Sequence, residues 1–115
     1  MTPDPSPMVL KMLNACKEGE QLVETVHLPV DPSKASEFAK LLEELMAAMR
    51  KAPGLMEART HTPSPWSNEY LIYEVWGGSA GLRQWWEGQL LGKFQAALHE
   101  RQLLTGMPSL HFSYV

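Results

Sequence analysis

One cysteine, Cys16, is the whole thiol complement of the 115-residue chain, which rules out an intrachain disulfide framework and a cysteine-rich zinc site. A lone thiol turns reactive only in an electropositive setting, so Cys16 is read as an inert packed side chain. Positive charge is not in surplus either: ten Lys and Arg against thirteen Asp and Glu leave a formal net charge of −3. Nucleic acid is therefore not an expected partner, since neutralising phosphates needs a basic patch. Long apolar runs are missing, and none approaches the roughly 20 residues that cross a bilayer, so no membrane partner is expected. The opening "MTPDPSPMVLKML" carries Asp4 and three prolines where a secretory leader carries basic residues, and the expected location is cytoplasmic. No group of His, Cys, Asp and Glu has the spacing of a zinc or iron site, and "WGGSAG" lacks the spacing that cradles phosphate. Neither a metal nor a nucleotide cofactor is expected.

What is present is the composition of an ordinary globular chain, 44% hydrophobic and 20% charged, long enough for one domain with its own core. Residues 1–7 are proline-rich and polar and read as a tail without fixed structure. "MVLKMLNACKEGE" reads as a turn or two of helix or an added strand. In "QLVETVHLPV", Leu22, Glu24, Val26 and Leu28 share one side of a strand and Val23, Thr25 and His27 the other. Asp31 and Pro32 are a cap and a first-turn proline, after which Phe38, Leu41, Leu42, Leu45, Met46 and Met49 recur at helical spacing until Pro53 and Gly54. "LMEARTHTP" is a second strand and "SPWSN" a turn. "EYLIYEVWG" is a third strand, apolar enough to be central. Ser79 is placed to cap a second helix bearing Leu82, Trp85, Trp86, Leu90, Phe94, Ala97 and Leu98. Gly88 and Gly92 cost this helix roughly 1 kcal/mol each relative to alanine, so it is either one bent helix or two pieces. "SLHFSYV" closes the chain as a strand.

The order β-α-β-β-α-β predicts a ferredoxin-like α+β fold, a four-stranded antiparallel sheet with two helices on one face. The strands offer apolar residues to both faces, so the helix-free face is expected to be covered by a second copy of the chain.

Four pieces in this order, the first strand leading into "DPSKASEFAKLLEEL", then "APGLMEARTH", "NEYLIYEVWGGSAGLRQWW" and "KFQAAL", resemble the antibiotic biosynthesis monooxygenase domains of the dimeric α/β-barrel superfamily. The resemblance spans roughly residues 21–115 and leaves 1–20 as an N-terminal extension. It implies a homodimer whose two sheets form a barrel, with a pocket in each subunit between sheet and helices. Members include cofactor-independent oxygenases of aromatic polyketides, quinol oxygenases, haem-degrading oxygenases and proteins without an assigned reaction. Fold alone does not choose among these.

Glu74 and Trp76 share a side of the third strand. A glutamate there either anchors structure, pairing for instance with Arg59, or acts as a base on a phenol or hydroquinone, which must ionise before it passes an electron to dioxygen. Trp76 is read as packing. In haem-degrading members a tryptophan nine residues beyond the "E-x-W" tryptophan joins an asparagine on strand one and a histidine ligand on helix two. Trp85 matches that tryptophan, the asparagine's place holds Glu24, Thr25 or Val26, and His99 lies near the place of the ligand. His27 and His111 are further candidates for a base or hydrogen-bond donor, whereas His61 borders a turn and reads as surface. Met46, Met49, Trp85, Trp86, Phe94, Tyr70 and Tyr73 would wall a pocket for a flat aromatic ligand, or simply fill a core. The expected function is a monooxygenase that needs no metal or flavin and acts on a small electron-rich aromatic, a quinol or polyketide. Its rivals are a non-catalytic ligand-binding or stress-associated barrel and a haem-binding or haem-degrading oxygenase.

Overall fold

Two central strands position everything that follows. The computed structural model describes residues 7–17 and 19–115, so the tail expected for residues 1–6 lies outside the described residues. Pro7, expected in that tail, instead opens a helix. The elements are α1 (Pro7–Ala15), β1 (Leu22–Pro29), α2 (Ala35–Met49), β2 (Leu55–His61), β3 (Glu69–Trp76), α3 (Ser79–Glu87), α4 (Gln89–Glu100) and β4 (Ser109–Tyr114). The sheet runs β2-β3-β1-β4 with every neighbouring pair antiparallel, so β3 and β1 are the central strands, as the apolar run of β3 predicts. The fold is ferredoxin-like, with helices on one face, a leading helix added and the second helix in two pieces.

Register decides which side chains meet. Val26 lies opposite Ile72 and Leu110, and Glu24 opposite Glu74 and Phe112, so these rows share one face. That face is the covered one: Leu22, Leu28, Ile72 and Trp76 are buried against Phe38, Leu42, Leu45 and Met49 of α2 and Leu82, Trp85, Phe94 and Leu98 of α3 and α4. Withdrawing a side chain such as the fully buried Phe38 from water contributes about 2 kcal/mol. Val9 and Leu13 of α1 belong to the same core. α1 lies beside α3, where the Arg83 guanidinium donates to the Asn14 side-chain oxygen.

Local chemistry sets the element ends. The Asp31 carboxylate accepts from the Ser33 amide at 3.0 Å and its hydroxyl at 2.8 Å, which stabilises a 3-10 turn over Pro32–Lys34 and delays α2 to Ala35. Ser79, expected as a cap, is the first residue of α3. Gly78 takes the cap position, with no side-chain hydrogen bond to the helix. The second helix breaks at Gly88, whose extended backbone separates α3 from α4, while Gly92 stays inside α4. Gly54 turns the chain after α2 with φ +86, and a Cβ on Gly81 would stand 2.6 Å from the Pro53 carbonyl oxygen. The "PG" and "SAG" signatures therefore face each other, because the start of α3 rests directly on that turn.

Candidate functional site

Period-two alternation aims Glu24 and Glu74 at the helices from directly opposed positions of β1 and β3. Both are buried, Glu24 at 1% exposure and Glu74 at 2%. Two ionised carboxylates so placed would repel one another without water to screen them, so the pair has to hold a proton. Its contacts show how: the two carboxyls hydrogen-bond to each other, the Trp76 indole N–H donates to Glu74 Oε1 at 2.9 Å, and the Trp86 indole N–H donates to Glu24 Oε2 at 3.1 Å. Burial, then the Glu74 charge and the hydrogen bond to it, push the Glu24 carboxyl well above the usual glutamate range, with Trp86 pulling it partly back. Burial also raises Glu74, but the bonds it accepts from Glu24 and Trp76 favour its ionised form. Burial therefore raises the proton affinity of both carboxyls, and the two titrate as a unit.

Above this pair lies a cavity of about 100 Å³ between sheet and helices. Its walls include Trp85, Trp86, Phe94 and Met49 together with aliphatic side chains, and among the described residues Gln95 is the one polar side chain there besides the two carboxyls and the indoles. A far larger concavity, about 840 Å³, is an open surface groove past Asp31, Lys34, His99 and Gln102. It holds no buried titratable group, and the Lys34 ammonium already donates to the carbonyls of Arg101 and Gln102. The small dry cavity is the better candidate, since desolvated paired groups in an apolar hollow are what acid-base chemistry needs.

Of the residues expected at a pocket, Glu74, Trp85, Trp86, Phe94 and Met49 converge there. Met46 and Tyr70 do not: both line a shallow cleft beside Thr60 and Thr62, with the Tyr70 ring packed 4.7 Å from Phe38. Tyr73, His27 and His111 lie on the helix-free face, because Tyr73 pairs with Thr25 and His111 does likewise from the other side, one residue out of step with the glutamates. There the His27 Nδ1 stands 2.6 Å from Glu69 Oε1, and the two imidazoles meet edge to face at 5.5 Å. Arg59, expected as a partner for Glu74, is on that same outer face, paired with Glu57 at 3.2 Å and lying 4.7 Å over the Tyr73 ring. His99 is exposed on the surface groove. No histidine lines the cavity, and Glu24 and Val26 occupy the inward positions where the haem-degrading pattern has its asparagine. The donor set and the volume do not fit a haem.

Glu24 is the residue that sequence reasoning undervalued. Its signal was a carboxylate in the middle of the otherwise apolar row Leu22, Val26, Leu28. Only the strand register shows that it faces Glu74.

An antiparallel sheet covered on one face by helices, with a buried acid pair between them, defines the class as a ferredoxin-like domain with a small internal cavity. The chain belongs to the antibiotic biosynthesis monooxygenase family, whose model matches residues 22–97. The fold is similar to that of a provisionally named antibiotic biosynthesis monooxygenase from Caulobacter crescentus, with TM-score 0.80 and 19% identity, covering 91% of this chain and 97% of that one. A Nitrosomonas europaea protein with the same provisional name gives TM-score 0.76 at 12% identity, covering 86% and 93%. A conserved protein from Methanosarcina mazei gives 0.74 at 17%, covering 83% and 92%. No protein with a curated description matches the sequence. Among the described residues no helix is long and apolar enough to cross a membrane.

Proposed function

We propose that the protein is a monooxygenase that uses the Glu24–Glu74 pair as its base on a small electron-rich aromatic, a quinol or polyketide-like phenol, with no metal or flavin taking part. The observation that carries this reading is the dry acid pair at the floor of an aromatic-walled cavity. The pair, with at least one carboxylate oxygen free to accept, takes the phenolic proton. The phenolate passes one electron to dioxygen, and the resulting superoxide and aryloxyl radical combine into a carbon–oxygen bond. The peroxide anion takes the proton back, and loss of water breaks the O–O bond and leaves a carbonyl. One phenolic O–H and one ring C–H plus O2 thus give two C=O groups plus H2O, the ring hydrogen leaving with the departing hydroxide. The protein's part is to strip water from the reacting oxygen and hold the proton at a fixed place.

At about 100 Å³ the cavity is smaller than the sites that enclose drug-sized ligands, so a fused-ring substrate requires its wall to open. Oxygen uptake with a panel of hydroquinones and anthrones tests the reading. Turnover is expected with at least one, falling about 10²–10⁴-fold in Glu74→Gln, as loss of a general base does. No uptake across the panel overturns it in favour of a ligand-binding barrel.

The same reading includes a homodimer formed through the helix-free face. Supporting it are Val23, Leu71 and Tyr73, half-buried apolar side chains on that face, over which no helix of the described residues packs. Sedimentation equilibrium should show a dimer that Leu71→Glu converts to monomer; a monomeric wild-type protein at all concentrations contradicts it.

A further inference from the structure

The two tryptophans that serve the acid pair are not equivalent. Trp76 has no exposed surface, and its indole holds Glu74 from within the same strand, two residues away. Trp86 is half-buried, sits in the last turn of α3 two residues before the Gly88 break, and reaches Glu24 from a different element. Trp86 also lines the cavity, whereas Trp76 does not. At Glu24 the chain therefore places a flat aromatic ring bearing one N–H donor against a carboxyl that is otherwise sealed from water. The remaining cavity is too small for a second ring of that size beside it.

We infer that Trp86 is a specificity-determining residue that acts as a resident ligand: its indole occupies the position on Glu24 that an incoming hydroxyaromatic takes over by displacing it. This rests on the proposed use of the cavity as a binding site, but not on any turnover. Exchange conserves hydrogen bonds, since a ligand O–H replaces the indole N–H, and the buried Glu24 oxygen is left without a donor only during the swap. The same geometry sets the chemical class. The cavity wall has two carboxyls and no Lys, Arg or His, so it accepts an uncharged donor and rejects a ligand that brings its own carboxylate. A ligand unable to donate cannot replace what Trp86 supplies.

Two shape-matched probes separate these points, 2-naphthol and 2-naphthoate, titrated without turnover into the full-length protein labelled with 15N at its tryptophan indoles. Four indole signals are available, and Trp66, 91% exposed, provides the reference for a solvated indole. Saturation with 2-naphthol should move the Trp86 signal toward that of Trp66 and leave Trp76 in place, while 2-naphthoate moves neither. Trp86→Phe removes the competing donor and keeps the ring, so it should bind 2-naphthol about five- to tenfold more tightly than wild type, the worth of one hydrogen bond. Saturable naphthol binding with the Trp86 signal unmoved overturns the proposal, as does equal affinity for the naphthoate. Unchanged or weaker naphthol affinity in a folded Trp86→Phe overturns it too. If that variant does not fold, the wild-type indole shifts decide alone. Absence of any naphthol binding, with Trp86 unmoved, overturns it as well. Oxygen uptake failing while Trp86 is displaced tells against the monooxygenase reading alone.

Discussion

The two faces of the sheet both carry titratable groups and treat them in opposite ways. On the covered face Glu24 and Glu74 are sealed by helices, bonded by two indoles and pushed by burial toward holding protons. On the open face His27, Glu69 and His111 meet at side-chain exposures of 31% and 46% for the paired His27 and Glu69, with solvent to screen them. One residue of offset along β1, from 24 to 25 or from 26 to 27, separates the regimes. What differs is the medium rather than the residue types, because water supplies for nothing what the dry face must build from tryptophan donors.

The widest break in this contrast is Trp76→Ala. It removes the most buried indole and strips Glu74 of its donor, and the expected loss is about 3–5 kcal/mol, read as a shift in urea midpoint. A loss comparable to that of a surface substitution would show that the covered face is not dry. Next is the pH dependence. Both glutamates have folded values above their unfolded ones. As pH rises above the ordinary glutamate range the unfolded chain therefore releases protons that the folded pair keeps, and stability falls up to the raised value of the pair. The decline approaches about 1.4 kcal/mol per pH unit for each proton withheld. Glu24→Gln, which keeps an acceptor for Trp86, should flatten most of it in urea titrations from pH 5 to 8. A parallel curve would mean that no proton is shared. Asp31, held below its usual range by the Ser33 hydrogen bonds, acts with the opposite sign at lower pH and is common to both curves.

On the open face the effects shrink. Glu69→Gln weakens the 2.6 Å contact with His27 and should change stability by less than about 1 kcal/mol, read from urea midpoints. A loss as large as that of a buried glutamate would mean that the outer cluster is sealed in the working assembly. Smallest is Arg59→Ala, which removes the guanidinium over Tyr73 for about 0.5 kcal/mol, measured by thermal unfolding.

Much of this was legible along the chain. Helical spacing gave the core face of α2, the apolar run placed β3 in the centre, and Pro53–Gly54 marked the turn, because each is a local rule acting over a few residues. Trp85, Trp86, Phe94 and Met49 could be assigned to one cavity since their helices present single faces. The histidines could not be placed, because alternation says which residues share a side but not which side the helices cover. His27 and His111 were grouped with Glu74 until register set them apart. Met46 and Tyr70 were misplaced for a related reason: they share a face with pocket residues but lie beyond its edge.

By itself the sequence determined the element order, the family and the presence of a carboxylate inside an apolar strand, since periodicity and turn chemistry are encoded between near neighbours. Only the tertiary structure decided that Glu24, fifty positions away, lies across from Glu74, that two indoles hold the pair, and that burial raises the proton affinity of both carboxyls. Those outcomes depend on strand register and on the exclusion of water, and neither exists until the sheet has paired and the helices have closed over it.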